Sequence, residues 1–432
     1  MKDIRTTATY VENLLKDSKV DKYDFALSES ETREFNADLG VFTLYRTVFG
    51  NNIVVDVYKD NKKGTKAGND FSEEALKATV NDAVLSAQSA VADSAHDIAP
   101  QEPKEVFHLG CYEPDIDKFF SRVEELLSDV KYQYPKVKIL NVYASHTKKH
   151  NLYLNSNGTD FEKFGGYYSV TLEFSGNDGE KSTSLDYADV STYNLDTPLI
   201  ELSSFRTHLE NATNQLNQIP FSGKFEGTVL FTPDCFAQFM MYTLGNYADG
   251  SVILDGTSLW IDKIGQQVAD KSISISLKSS DPRIVDGEKY TSDGFKTQDV
   301  DILKDGVLKN FMLSLYIANK TGRPVLKNSS SDFVMANGTL PYTDILKSID
   351  HGLLVGGFSG GNPGTNGEFS GVAKNSYLIE NGKIKGAVSE TMINGNLGAM
   401  LQNIKAISKE TVADGSMVMP YVAVNGIVIS GK

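Results

Sequence analysis

Three features of this 432-residue chain predict an α+β fold, with helices grouped beside antiparallel strands and no regular βαβ alternation. The order helix, strands, helix occurs twice in the first half. From residue 225 onward strand patterns dominate. Two segments there, ILKDGVLKNF at 302–311 and YLIENGKIKGA at 377–387, read as tight hairpins. Their central pairs, Asp305-Gly306 and Asn381-Gly382, are suited to the left-handed backbone of a two-residue turn. The length accommodates two or three domains, each with its own core.

Residues 1–100 form the first unit. Ile4, Ala8, Val11, Leu14 and Leu15 recur at three- and four-residue spacing, the mark of an amphipathic helix. Strand-like DFALSES and VFTLYRTVF follow, then a turn at Gly50-Asn51-Asn52 and a further strand, NIVVDVYKD. A second helix starts near Asp70, with Glu73 completing a capping-box-like pair, and runs through Leu76, Val80, Ala83 and Ala87. HDIAPQEPKE, residues 96–105, has two prolines and no periodicity and reads as a linker.

The second unit, 101–220, repeats the order. PDIDKFFSRVEELLSDV places Ile116, Phe119, Phe120, Val123, Leu126, Leu127 and Val130 on one helical face. VKILNVYASH, NLYLNS and YYSVTLEFSG read as strands, with HTKKH as the hairpin turn between the first two. A helix from about Leu199 to Leu216 and a boundary at NQIPFSGK complete the unit. The remainder, 221–432, is the strand-rich domain. It contains a glycine-rich stretch, GLLVGGFSGGNPGTNGEFSG, whose Gly356, Gly357, Gly360 and Gly361 suit either close approach of another backbone or a surface loop.

Within this last unit, VLFTPDCFAQFMMYTLGNYADG at 229–250 reads as a strand followed by a buried helix. Thr232 suits the N-cap, Pro233 the first helical position, Asp234 the positive end of the dipole and Gly245 the C-terminal stop. Cys235, Phe236, Ala237, Phe239, Met240, Met241 and Leu244 cover nearly the whole circumference, so the helix is expected to be core.

The 42 basic residues against 56 acidic ones give a net charge of −14, which disfavours nucleic-acid binding. The one dense basic run, YKDNKKGTK, reads as a solvated hairpin end. Cys111 and Cys235 lie far apart with no CxxC, which argues against a disulfide framework and a thiolate zinc site. No window approaches the ~20 apolar residues that span a bilayer, and the N-terminal stretch has no signal-peptide core, so a cytoplasmic protein is expected.

Motifs for chemistry are sparse. His146 and His150 have metal-like spacing only on a helix; between strands they belong to a turn. Cys235 near a helix N-terminus suits a nucleophile less well than a small buried hydrophobe. No HExxH, GxSxG or GK[ST] motif is present.

Taken together and in order, several segments resemble the TldD/PmbA family. They are NKKGTKAGNDFSEEALKATVNDAVLSAQ, LNSNGTDFE, DGFKTQDVDILKDGVLKNFMLSLYIANKTG, the glycine-rich segment with its following hairpin, and the closing VAVNGIVISGK. The resemblance implies a cytosolic metallopeptidase system acting on unfolded peptides, in peptide maturation and antitoxin turnover. It also implies a heterodimer of a zinc-bearing TldD-type subunit and a PmbA-type subunit, also called TldE. The family's zinc helix has the form HExxxH, with a further cysteine ligand near the C-terminus. Here the corresponding segment, near 233–244, has Met240, Met241 and Gly245 about where the two histidines and the glutamate would lie, and the C-terminal stretch has no cysteine.

The resemblance therefore points to the PmbA/TldE-type branch: no catalytic residue or metal in this chain, zinc in a TldD-type partner, unfolded peptide as substrate, and a homodimer in the partner's absence. Gly356, Gly357, Gly360 and Gly361 become candidates for a cleft or interface contact. Two alternatives stand beside it. One is an autonomous peptidase using unanticipated ligands such as His208 and His351; the other is a self-associating binding protein with no proteolytic role.

Overall fold

The computed structural model describes residues 3–431. The first two units share one sheet. Its strands are β1 (Lys22–Asp38), β2 (Val41–Lys59), β3 (Lys62–Gly68), β4 (Glu105–Gly110), β5 (Val137–Asn155), β6 (Asp160–Gly176) and β7 (Asp186–Thr192). Their order is β3-β2-β1-β5-β6-β4, with β7 also paired to β6. Two long hairpins, β1–β2 and β5–β6, are joined through β1 and β5 from Asp24↔Asn155 to Asp38↔Asn141.

Alternation along β1 explains how one sheet carries two helical layers. Phe25, Leu27, Phe35 and Ala37 all point to the same face and are buried. Helices α1 (Ile4–Asp17) and α2 (Glu73–Ser89) cover one half, burying Val11, Leu15, Val80 and Ala83 against Phe25 and Leu27. Helix α3 (Ile116–Gln133) covers the other, packing Phe119, Val123 and Val130 on Phe35 and Val142.

Several expected turns are absent. Strand β2 runs unbroken through Gly50-Asn51-Asn52, which pair with Ser30, Glu29 and Ser28. Strand β5 likewise runs through HTKKH, where Arg33↔His146 and Glu29↔His150 pair on one side and Tyr168 and Phe164 on the other. Paired neighbours satisfy the backbone groups, so polar residues remain strand there despite their turn-like composition. His146 and His150 then lie on one face of a strand but about 13 Å apart, too far to share a metal ion. His146 is buried and bonded to the Cys111 carbonyl at 2.7 Å; His150 Nε2 is 2.7 Å from Glu162 Oε1.

Two helix boundaries also move. Helix α2 is capped by the Ser72 hydroxyl, which accepts from the Ala75 amide, while Asp70 accepts from Ser72. The helix expected at 199–216 is a 3₁₀ turn at Leu199–Glu201 followed by α4 (Phe205–Asn214).

The C-terminal half builds the second sheet. Its earlier strands are β8 (Lys224–Phe231), β9 (Ile275–Leu277), β10 (Val300–Lys304), β11 (Val307–Leu308) and β12 (Phe333–Met335). After them come β13 (His351–Gly360), β14 (Glu368–Glu380), β15 (Lys383–Val388), β16 (Met392–Asn396), β17 (Ile404–Ala413) and β18 (Val418–Ser430). The pairings β8–β13–β14–β16–β18 return to β8, so this part of the sheet closes on itself. The two expected hairpins are present as β10–β11 and β14–β15. Asp305, Gly306, Asn381 and Gly382 all have positive φ, from 49° to 74°, as their turns require. Helix α5 (Pro233–Tyr247) follows β8 and packs against β13 and β18. Among the described residues no helix is long and apolar enough to cross a membrane.

Candidate functional site

Helix α5 begins as its sequence predicts. The Thr232 hydroxyl accepts from the Cys235 amide and Pro233 occupies the first turn. It does not stop at Gly245 but continues to Tyr247, with Ala248 as the cap. It is also not apolar on every side in use. Phe236, Phe239, Met240 and Leu244 are buried in the main core, whereas Met241 is 45% exposed and Gly245 is exposed. The open side, with Gln238 and Met241, forms one wall of a cavity of about 1540 Å³. Consecutive helical residues point about 100° apart, so Met240 and Met241 can meet entirely different surroundings.

The rest of the cavity comes from both halves of the chain. Strand β7 and the segment before it supply Leu185, Asp186, Tyr187 and Asp189; β13 supplies Gly356, Gly357 and Phe358. Strand β14 adds Val372 to Asn375, and the segment around β18 adds Asp414, Met417 and Met419. Of the four glycines singled out in the sequence, Gly356 and Gly357 line the cavity; Gly360 and Gly361 do not. The first three lie in β13, and the close approach at Gly356 is made by β14: a Cβ there would stand 2.9 Å from that of Asn375.

The strongest electrostatic feature of the wall is a carboxylate–imidazole–carboxylate array. His208 on α4 places Nδ1 3.2 Å from Asp186 on β7 and Nε2 3.2 Å from Asp234 on α5. Asn375 on β14 donates to the same Asp186 oxygen at 3.0 Å. Burial alone would lower the His208 pKa; the two carboxylates outweigh it and raise it to about 10, so the ring is imidazolium at neutral pH. Burial works against the Asp234 carboxylate as well, yet the imidazolium holds its pKa below the ordinary value. Asp234 nevertheless keeps 37% of its side chain accessible, because it faces the cavity. Asp189 behaves oppositely: partial desolvation within the cavity, then Asp414 and Asp234, push its pKa up, and its side chain makes no hydrogen bond or ion pair among the described residues.

Zinc does not fit these donors. The three α5 positions offer a buried thioether at Met240, an exposed one at Met241 and no side chain at Gly245, where zinc prefers imidazole, thiolate or carboxylate. Both nitrogens of His208 face carboxylates. Burial drives the Cys235 thiol well above its usual pKa, the reverse of what a thiolate ligand or nucleophile needs. Among the described residues no three His, Cys, Asp or Glu side chains form a metal-holding group. His351 packs its ring on Phe225, 4.0 Å between centroids, and does not line the cavity with His208.

Residues 222–431, which hold α5 and the closed part of the second sheet, match the PmbA/TldA metallopeptidase C-terminal domain. Over these residues the chain belongs to the TldD/PmbA family, and the likeness to that family extends along most of its length. It is 25% identical over 428 residues to the metalloprotease PmbA of Escherichia coli O157:H7, covering 92% of this chain and 88% of that one. It is 21% identical over 303 residues to a zinc metalloprotease TldD homolog of Saccharolobus solfataricus, covering 67% and 68%. The fold matches that of TldE from Thermococcus kodakarensis with a TM-score of 0.84 at 22% identity, over 98% of this chain and 100% of that one. The chain is thus metalloprotease-like in sequence and shares the fold of TldE.

The array around His208 escaped the sequence reading. Its members are separated by 22 and 26 residues and come from three elements, so no local spacing announces it. Two of its members stand out in the sequence for other reasons, His208 as a possible ligand of an autonomous peptidase and Asp234 as a helix N-terminal acid.

Proposed function

We propose that this chain is a PmbA/TldE-type, non-catalytic subunit of a TldD/TldE-like zinc metallopeptidase, pairing with a TldD-type partner and helping to hold unfolded peptide. The observation that carries the reading is the character of α5. It stands at a cavity wall, where a metallopeptidase would present its ligands, yet offers Met240, Met241 and Gly245. A large cavity with no evident metal-ligand set suits a subunit that binds chain without cutting it. Zinc would then be held by the partner and would supply Lewis-acid polarisation of the scissile carbonyl and an activated water there. This chain's residues contribute walls, charge and a strand edge. Peptide maturation and antitoxin turnover in the cytoplasm are the settings in which such a subunit acts.

The test is peptide cleavage by this chain, by a TldD-type protein of the same organism and by their mixture, each with and without chelator. Cleavage that needs the partner and rises on mixing is expected. Chelator-sensitive cleavage by this chain alone would replace the proposal with an autonomous peptidase.

A further inference from the structure

The cavity combines three features that together select an occupant. The first is a short open stretch of strand edge. Among the described strands β7 pairs with β6. On its other edge the Ser191 amide donates to the Asp414 carbonyl and the Tyr187 amide to its neighbour Asp186 Oδ1. The stretch between them at Asp189 stays open where Asp186 to Asp189 line the cavity. An extended peptide can add to such an edge through its backbone alone, with side chains alternating to either face. Ala188 and Val190 face the core, while Tyr187 and Asp189 face outward and are exposed.

The second feature is the chemistry of the apolar wall. Met241, Met392, Met417 and Met419 converge on the cavity from α5, β16, the turn before β18 and β18 itself. Unbranched thioethers adapt to differently shaped apolar side chains, which favours tolerance over a fixed sequence. At about 1540 Å³ the cavity also exceeds the roughly 300–1,000 Å³ of small-molecule sites.

The third feature is charge. Asp186, Asp189, Asp234 and Asp414 line the cavity against Lys181 and Lys374. His208 neutralises only part of that excess, and Asp189 is left without an ion-pair partner among the described residues. Resting on the peptide-holding role above, we propose that the cavity receives an extended peptide carrying Lys or Arg among apolar residues. The peptide meets the open stretch of the β7 edge at Asp189, with a cationic side chain against the Asp189 carboxylate and apolar ones in the methionine wall.

The experiment uses the full chain alone and three fluorescein-labelled peptides of about ten residues, read by fluorescence anisotropy. One has lysines among valine, phenylalanine and serine; the second replaces lysine by glutamate; the third replaces valine and phenylalanine by serine. The first is expected to bind about tenfold more tightly than either other. Asp189→Asn should remove most of the lysine preference, and Met241→Gln most of the apolar preference. Both positions are exposed, so neither change threatens folding, and circular dichroism of each variant checks this.

Equal binding of the three peptides, no binding of any, or a lysine preference unchanged in Asp189→Asn would overturn the proposal. Mass spectrometry of the recovered peptide keeps the two readings separate. Cleavage by the chain alone would refute the non-catalytic role while leaving the peptide preference to stand or fall on the anisotropy.

Discussion

Asp24 and Asp234 are both carboxylates surrounded by protein, and their surroundings drive them in opposite directions. Asp234 shares the His208 imidazolium with Asp186, and its pKa is held down. Asp24 on β1 has no cation bonded to it among the described residues. The Tyr58 hydroxyl donates to it at 3.3 Å, while burial first and Asp56 second push its pKa up to about 8. Burial opposes ionisation in both places; a bonded cation decides the outcome.

The largest effect expected from breaking this contrast comes from His208→Ala. It leaves Asp186 and Asp234 facing one vacated space. A loss of about 2–3 kcal/mol in chemical denaturation at pH 7 is expected, below the range for a fully buried pair because Asp234 opens on the cavity. Since the folded-state pKa of His208 is raised, its contribution is complete below the unfolded value near 6.5. It disappears as pH rises through about 10. Denaturation midpoints followed from pH 6 to 11 should therefore converge for the wild type and the variant.

Asp24→Asn should act in the other direction. A raised carboxylate contributes stability that is present below the ordinary range and lost as pH rises through about 8. The asparagine variant should equal the wild type or fall slightly below it at pH 4, and exceed it by about 1–3 kcal/mol at pH 9. Wild-type stability that does not decline across this window would show that Asp24 is not the isolated acid described.

Two smaller changes sharpen the comparison. Asn375→Ala removes the donor to Asp186 and should cost about 1 kcal/mol, with further strain because Asn375 sits at φ 48°. Tyr58→Phe removes the hydrogen-bond donor to Asp24 and should cost about 0.5 kcal/mol near neutral pH. It should also move the alkaline stability loss to higher pH, since that bond favours the ionised form.

How much of this was legible in the sequence depended on how local the cause was. The turns at Asp305-Gly306 and Asn381-Gly382 and the Thr232-Pro233 start of α5 depend on nearby residues, and they stand where they were read. Gly50-Asn51-Asn52 and HTKKH have turn-like composition, yet partners on neighbouring strands hold both extended. Met241 was counted with the core because a periodicity shows which residues are apolar, not whether another element covers them. The His208 array and the cavity need β7, α4, α5 and β14 together, and no spacing along the chain encodes that meeting. The deviation at Met240, Met241 and Gly245 was visible only through the family resemblance.

Strand β18 pairs with β8, β12, β16 and β17, and it follows all of them in chain order. During synthesis, β8 therefore leaves the ribosome about two hundred residues before the strand that completes its antiparallel pairing. Until then the apolar side chains of β8 and α5 await their cover, making the nascent C-terminal half a natural client for chaperones. It should acquire protease resistance late and in one step, when β18 arrives, rather than strand by strand.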